Sequence, residues 1–148
     1  MDIARILATK GDTAVTARPD QSIRDGLALL ARHNIGALIV VDAAGAPIGI
    51  LSERDIVREA ARNEAVFNRR VGDLMTRDVI TGQPHDDLAA VAYTMTDRRI
   101  RHLPVMEKGK LVGIVSIGDI LKAQRDHYRG EADTLQAMIL DPEPGSGR

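Results

Sequence analysis

The sequence predicts an α+β (mixed α/β) protein of two tandem βαββα repeats. A pseudo-twofold axis would relate them, with their sheets packed face to face and the helices outside. Three observations carry this. Gly49-Ile50-Leu51-Ser52-Glu53-Arg54-Asp55 is echoed by Gly113-Ile114-Val115-Ser116-Ile117-Gly118-Asp119, 64 residues later (119 less 55). Each copy lies between two apolar stretches, so Gly, Ser and Asp recur where a strand hands over to a helix. The segments before each copy also follow one order in both halves, the mark of an internal repeat whose units cannot bury their sheets alone.

Ile3 to Ala8 reads as a short amphipathic turn ended by Lys10-Gly11-Asp12, and Ala14-Val15-Thr16 as a brief extended segment. After Pro19, Asp20 and Ser22 are candidate caps for a helix whose Ile23, Leu27, Leu30 and Ala31 share one face. Asn34-Ile35-Gly36 stops it. Ala37 to Val41 is a short β-branched run that reads as a buried strand. Asp42 to Pro47 is a hairpin turn, Ile48 to Leu51 the return strand, and Ser52 opens a helix to about Arg62. Asn63 to Arg70 is a polar connector, and Val71-Gly72-Asp73-Leu74-Met75 begins the second unit. There Val79-Ile80-Thr81 matches the first extended segment. A helix from Asp86 carries Leu88, Ala92 and Met95, and His102 to Met106 is the central strand. Glu107 to Lys110 is the turn and Leu111 to Val115 the return. Pro104, without an amide proton, should lie where that strand makes no ladder bond. The expected division is 1–70, 71–130 and a C-terminal part 131–148, with Leu135, Met138 and Ile139 at helical spacing and a disordered tail from Asp141.

Composition narrows the function classes. Aromatics are 2% of the chain, so the core is aliphatic. The net charge of −1 gives no general pull toward nucleic acid or acidic lipid, and only Phe67, Tyr93 and Tyr128 could stack on bases. With no cysteine there is no thiol catalysis or thiolate metal site. No apolar run approaches a bilayer span, and the first residues lack a secretory pattern, so a cytoplasmic protein is expected.

The repeat resembles a tandem pair of cystathionine-β-synthase-type (CBS) domains, a Bateman module. In the first half the resemblance rests on Val15-Thr16, Gly36 to Asp42 and GILSERD. In the second it rests on Leu74-Met75-Thr76, Val79-Ile80-Thr81, Arg101 to Val105 and GIVSIGD. It covers Ile3 to about Arg125. It implies clefts between the halves for an adenine nucleotide: AMP, ADP, ATP, S-adenosylmethionine, or NAD in some small stand-alone modules. It also implies homodimers.

On this resemblance Asp55 and Asp119 would accept the vicinal hydroxyls of a ribose, as a carboxylate can accept two hydrogen bonds. Ser52 and Ser116, at helix starts, would lie by the phosphate. Read locally, Ser-x-x-Asp is equally a capping box, and the two roles can coexist. Thr16 and Thr81 are strand-end hydroxyls that the family places beside the nucleotide. Ala37, Leu38 and Ile39, with His102, Leu103 and Pro104, would form an aliphatic adenine slot. Arg54, Arg98, Arg99 and Arg101 suit phosphates, although single arginines at helix ends are ordinarily just solvated. The second motif has Ile117-Gly118 where the first has Glu53-Arg54, so charge at the Asp119 cleft must come from an arginine elsewhere.

The leading expectation is a regulatory module that binds an adenine nucleotide and signals occupancy to an unknown downstream protein. The alternative is a dimerisation scaffold with vestigial sites. An enzyme is disfavoured, because the chain shows no metal cluster, no phosphate loop ending in Lys-Ser or Lys-Thr and no nucleophile-base pair at recognisable spacing. No catalytic residue, metal or catalytic cofactor is expected.

Overall fold

The computed structural model describes residues 1–11 and 14–140, apart from the side chain of Leu140. In chain order the elements are α1 (Ile3–Lys10), β1 (Thr16–Ala17), α2 (Ile23–His33), β2 (Ala37–Val41), β3 (Pro47–Ser52) and α3 (Glu53–Ala60). After a 3₁₀ turn at Val66–Asn68 come α4 (Val71–Leu74), α5 (Leu88–Arg98), β4 (His102–Glu107), β5 (Lys110–Ser116) and α6 (Ile117–Leu140). The fold is α+β, with two like repeats.

Local chemistry sets the helix ends. Ser22 Oγ accepts the Asp25 N–H at the start of α2, and 65 residues on Asp87 accepts the Ala90 N–H at the start of α5. The cap is therefore Asp87 and not Asp86, whose carboxylate accepts the Gln83 N–H in the preceding turn. Asn34 and Arg99 end these helices in matching left-handed conformations, with φ of 51° and 55°.

The two sheets differ by one strand. In the first, β1 runs parallel to β2, which is antiparallel to β3; the second is the β4–β5 hairpin alone. The expected second-half counterpart of β1, Val79–Thr81, forms no strand, and this segment leaves one bridge, Gly82 to Val105. Pro104 supplies the reason. Its counterpart Ile39 donates its N–H to the Val15 carbonyl at 3.3 Å, a bond that proline cannot make. Pairing resumes one residue later, with the Gly82 N–H donating to the Pro104 carbonyl and the Met106 N–H to the Gly82 carbonyl.

Side chains gather in two cores, and each core borrows from the other half's sequence. Leu88, Val91, Met95, Leu103, Val105, Val115 and Ile120 of the second half pack with Ile3, Ile6 and Leu7 of α1. Ile23, Leu30, Leu38, Val40, Leu51 and Ile56 of the first half, with Val66 of its connector, pack with Val71 and Met75 of the second. Backbone bonds fix both exchanges: Asp2 bridges Asp87, Ser22 bridges Arg70, and Thr76 bridges Ile50. A Cβ on Gly49 would run into Met75 and lie 3.1 Å from the Thr76 carbonyl, so glycine is what lets this segment close on β3. In β2, Leu38 and Val40 face the helices, while Ile39 on the opposite face is also fully buried; the sheet is covered on both sides.

The connector is held by Glu59, whose carboxylate accepts from Arg62, Asn63 and Arg69. α6 is one continuous 24-residue helix and not two segments. Its start buries Ile120, and from Arg125 it is exposed, including Leu135, Met138 and Ile139. The expected tail from Asp141 lies outside the described residues. Among the described residues no helix is long and apolar enough to cross a membrane.

Candidate functional site

Both Ser-x-x-Asp motifs fold as capping boxes. At α3 the Asp55 N–H donates to Ser52 Oγ, and Asp55 Oδ2 accepts from the Ser52 N–H at 2.9 Å and from its hydroxyl at 3.0 Å. At α6 the Asp119 N–H donates to Ser116 Oγ at 3.0 Å, and Asp119 Oδ2 accepts the Ser116 N–H at 2.8 Å. In each aspartate the second oxygen, Oδ1, has no hydrogen-bond partner among the described residues. One carboxylate therefore holds a helix end with one oxygen and leaves the other for a ligand donor.

The helix starts offer fewer free donors than expected. The Glu53 N–H donates to the Gly36 carbonyl and the Ile117 N–H to the Arg101 carbonyl, at 3.0 and 2.9 Å. With the capping bonds made, the first turn of α6 keeps the Gly118 N–H without an acceptor among the described residues.

The surroundings of the two aspartates differ. Lys10, at the end of α1, places Nζ 2.6 Å from Asp119 Oδ2 and 3.1 Å from the Ile114 carbonyl. The cation of the Asp119 site is thus a lysine from the opposite end of the chain, and not an arginine. Asp55 makes no ion pair among the described residues. Burial opposes ionisation of Asp119, but Lys10 and the Ser116 N–H outweigh it and hold the carboxyl below its ordinary value. His102, paired with Ser116 across β4 and β5, is half-buried; burial first, then Lys10, lower its pKa and favour the neutral imidazole. A Cβ on Gly36 would lie 3.5 Å from Glu53 Oε1 and 3.9 Å from His102 Nε2, so the starts of β2 and β4 meet here across the joint.

Two grooves open on the surface, one beside the Asp119 site and one at the far, turn end of the two hairpins. One of about 980 Å³ lies between α1 and α6 and is lined by Arg5, Lys10, Asp119, Lys122, His127 and Glu131 among others. The second, about 580 Å³, lies where Thr16 meets both hairpin turns, at Ala44 to Ala46 and Gly109 to Val112.

The expected site residues are only partly drawn together. Ser116, Asp119, His102 and the Arg101 backbone converge, with Lys10 added. Leu38 and Leu103 point into the two cores, since side chains alternate along a strand, so only their backbone could reach a base. The Ile39 side chain is fully buried on the face of β2 away from its helices, and Pro104 and Ala37 are buried as well. Arg54 is exposed and unpaired among the described residues, and Arg99 is the exposed C-cap of α5. Thr16 and Thr81 are exposed. Lys10 is the residue that sequence reasoning missed. No group of three or more His, Asp or Glu among the described residues is placed to hold a metal ion.

The CBS-domain family model matches residues 6–62 and 71–126. A CBS-domain containing protein of Agrobacterium tumefaciens has a solved structure similar over 84% of this chain and 99% of its own, at 39% identity and a TM-score of 0.79. The mitochondrial CBS domain-containing protein CBSX3 of Arabidopsis thaliana is 34% identical over 93% of this chain and 71% of its own length. The CBS domain pair of the protein MJ0100, solved in complex with 5′-methylthioadenosine and S-adenosylmethionine, is 30% identical over 86% of this chain and 98% of its own, with a TM-score of 0.76.

The depressed Asp119 pKa has a definite sign in a stability profile. Its contribution is complete above the ordinary carboxylate range, about pH 4, and is lost as pH falls through the lower folded value. Asp119→Asn removes that ionisation while keeping a side-chain oxygen for the cap. Urea unfolding at a series of pH values should show the wild type more stable near neutrality, with the gap closing below about pH 4. A gap that stays constant into acid would remove the Lys10–Asp119 pair from the account.

Proposed function

Because the chain belongs to the CBS-domain family and carries two such domains in tandem, we propose that it is a regulatory module binding an adenosine-containing nucleotide (AMP, ADP, ATP or NAD) at the joint of its repeats. Occupancy would be passed to a protein partner through differential affinity for two arrangements of the repeats. The observation that carries this is the divided Asp119 carboxylate: Oδ2 holds the helix cap, while Oδ1 has no partner among the described residues and can accept from a ribose hydroxyl. The adenosine-type ligands of the MJ0100 pair support the same chemistry. In this reading the base lies along the backbone edges of 37–39 and 102–104, beside Thr16 and Thr81. Arg54, Arg99 and Arg101 add charge at the rim, with Ser52 and Asp55 forming the second cleft. The module senses and does not catalyse.

The scaffold alternative draws on a specific observation too: both aspartates are already engaged in capping, and Lys10 covers one of them. Melting curves with millimolar AMP, ATP, NAD and 5′-methylthioadenosine separate the two readings. Binding to the folded form alone raises the melting temperature. Asp119→Ala should weaken the bound ligand by about 1.5–3 kcal/mol, the scale of a hydrogen bond to a charged group. A protein that no adenosine compound shifts is the scaffold. A variant that is less stable yet keeps its affinity restores a capping-only role.

The same reading makes the protein a homodimer. Val57 and Leu121 are exposed on α3 and α6, as are Leu135, Met138 and Ile139 farther along α6. Ile56 and Ile120 on the same helices are buried in the module's own cores, so they leave nothing for an interface. Light scattering at micromolar concentration should give twice the chain mass, and truncation after Arg129 tests whether the end of α6 takes part. A full-length monomer removes the dimer; a truncated dimer removes only the α6 contribution.

A further inference from the structure

The asymmetry between the two aspartates points to the ligand's charge. Lys10 is not a loose surface lysine, because Ile3, Ile6 and Leu7 anchor α1 in the core of the second half and hold the Lys10 backbone beside β5. Its side chain is 39% exposed, against 27% for Asp119, so the pair sits at an opening and not in the interior. An ammonium has three donors, of which two go to Asp119 Oδ2 and the Ile114 carbonyl; the third has no acceptor among the described residues. Beside it Asp119 Oδ1 is open, and Lys122 lines the same groove. Gly118 stands where the first repeat has Arg54, and a Cβ there would meet only Ser116 Oγ, at 3.6 Å. The second motif thus has room but no cation of its own.

Resting on the nucleotide-site reading above, we propose that Lys10 makes the Asp119 cleft selective for 5′-phosphorylated adenosine over adenosine and over S-adenosylmethionine. Asp119 Oδ1 takes a sugar hydroxyl, and the flexible Lys10 stem lets its ammonium bridge the capping carboxylate to the 5′-phosphate of the same molecule. A neutral adenosine gains nothing from the free donor, and the sulfonium of S-adenosylmethionine is repelled by it. Among the described residues no lysine pairs with Asp55, so its cleft does not share the preference.

Calorimetric titration of the wild type, Lys10→Gln and Lys10→Arg with AMP, adenosine and S-adenosylmethionine tests this. Wild type should prefer AMP to adenosine by about tenfold or more, the scale of one charge-assisted contact. Lys10→Gln should lose about tenfold for AMP while adenosine changes by less than about threefold, and Lys10→Arg should keep most of the AMP affinity. AMP and adenosine binding equally well to wild type, or weakening by the same factor in Lys10→Gln, overturns the role of Lys10 and leaves the nucleotide site standing. Wild type that binds none of the three compounds overturns both.

Discussion

The structure depends on one exchange: each half lends its first segment to the other half's core. Ile3 of α1 and Val71 of α4 are both fully buried, each among residues of the opposite repeat. The exchange is forced by burial. A small sheet with helices on one face still has a second face and an open end to cover, and neither repeat has enough chain of its own to cover both. Burying a side chain such as Ile3 contributes about 1.5–3 kcal/mol, large against the net stability of a domain. The repeats are thus two by sequence and one by packing.

The candidate site inherits its asymmetry from that exchange. The two capping boxes are chemically alike, because the same serine and aspartate hold the same strand-to-helix junction. What arrives beside them is not. The segment lent to the second half ends in Lys10, which reaches Asp119; the segment lent to the first ends in Thr76 and Arg77, and the Arg77 guanidinium turns back to the Gly72 carbonyl. On the nucleotide reading proposed above, a cation that comes from an exchanged helix would couple ligand charge to the packing of the whole module. That coupling is what a sensor needs, since a ligand can shift an equilibrium only through contacts that differ between its states.

Much of this was legible in the sequence. The doubled Gly-x-x-Ser-x-x-Asp segment located both junctions, and the apolar run Ala37–Val41 read correctly as a buried strand, which the structure covers on both faces. Side-chain alternation along that strand already implies that Leu38 and Ile39 cannot both face a cleft, as it does for Leu103 and Pro104. The left-handed cap at Arg99 follows from its match to Asn34. Lys10 beside Asp119 was not legible: 109 residues separate them, and only the exchange of α1 brings them together. Nor does local pattern show that a strand would be lost beside Pro104, since Val79-Ile80-Thr81 carries ordinary β propensity and lacks only the bond that Pro104 cannot donate.

Amide hydrogen exchange of the wild type and Ile3→Ala under native conditions tests the exchanged packing most directly. Removing the Ile3 side chain empties a site in the second core, so protection should fall first in α5, β4 and β5, with β2 and β3 the last to respond. Faster exchange confined to α1, or loss centred on β2 and β3, would contradict the account by showing that the N-terminal helix does not support the second repeat.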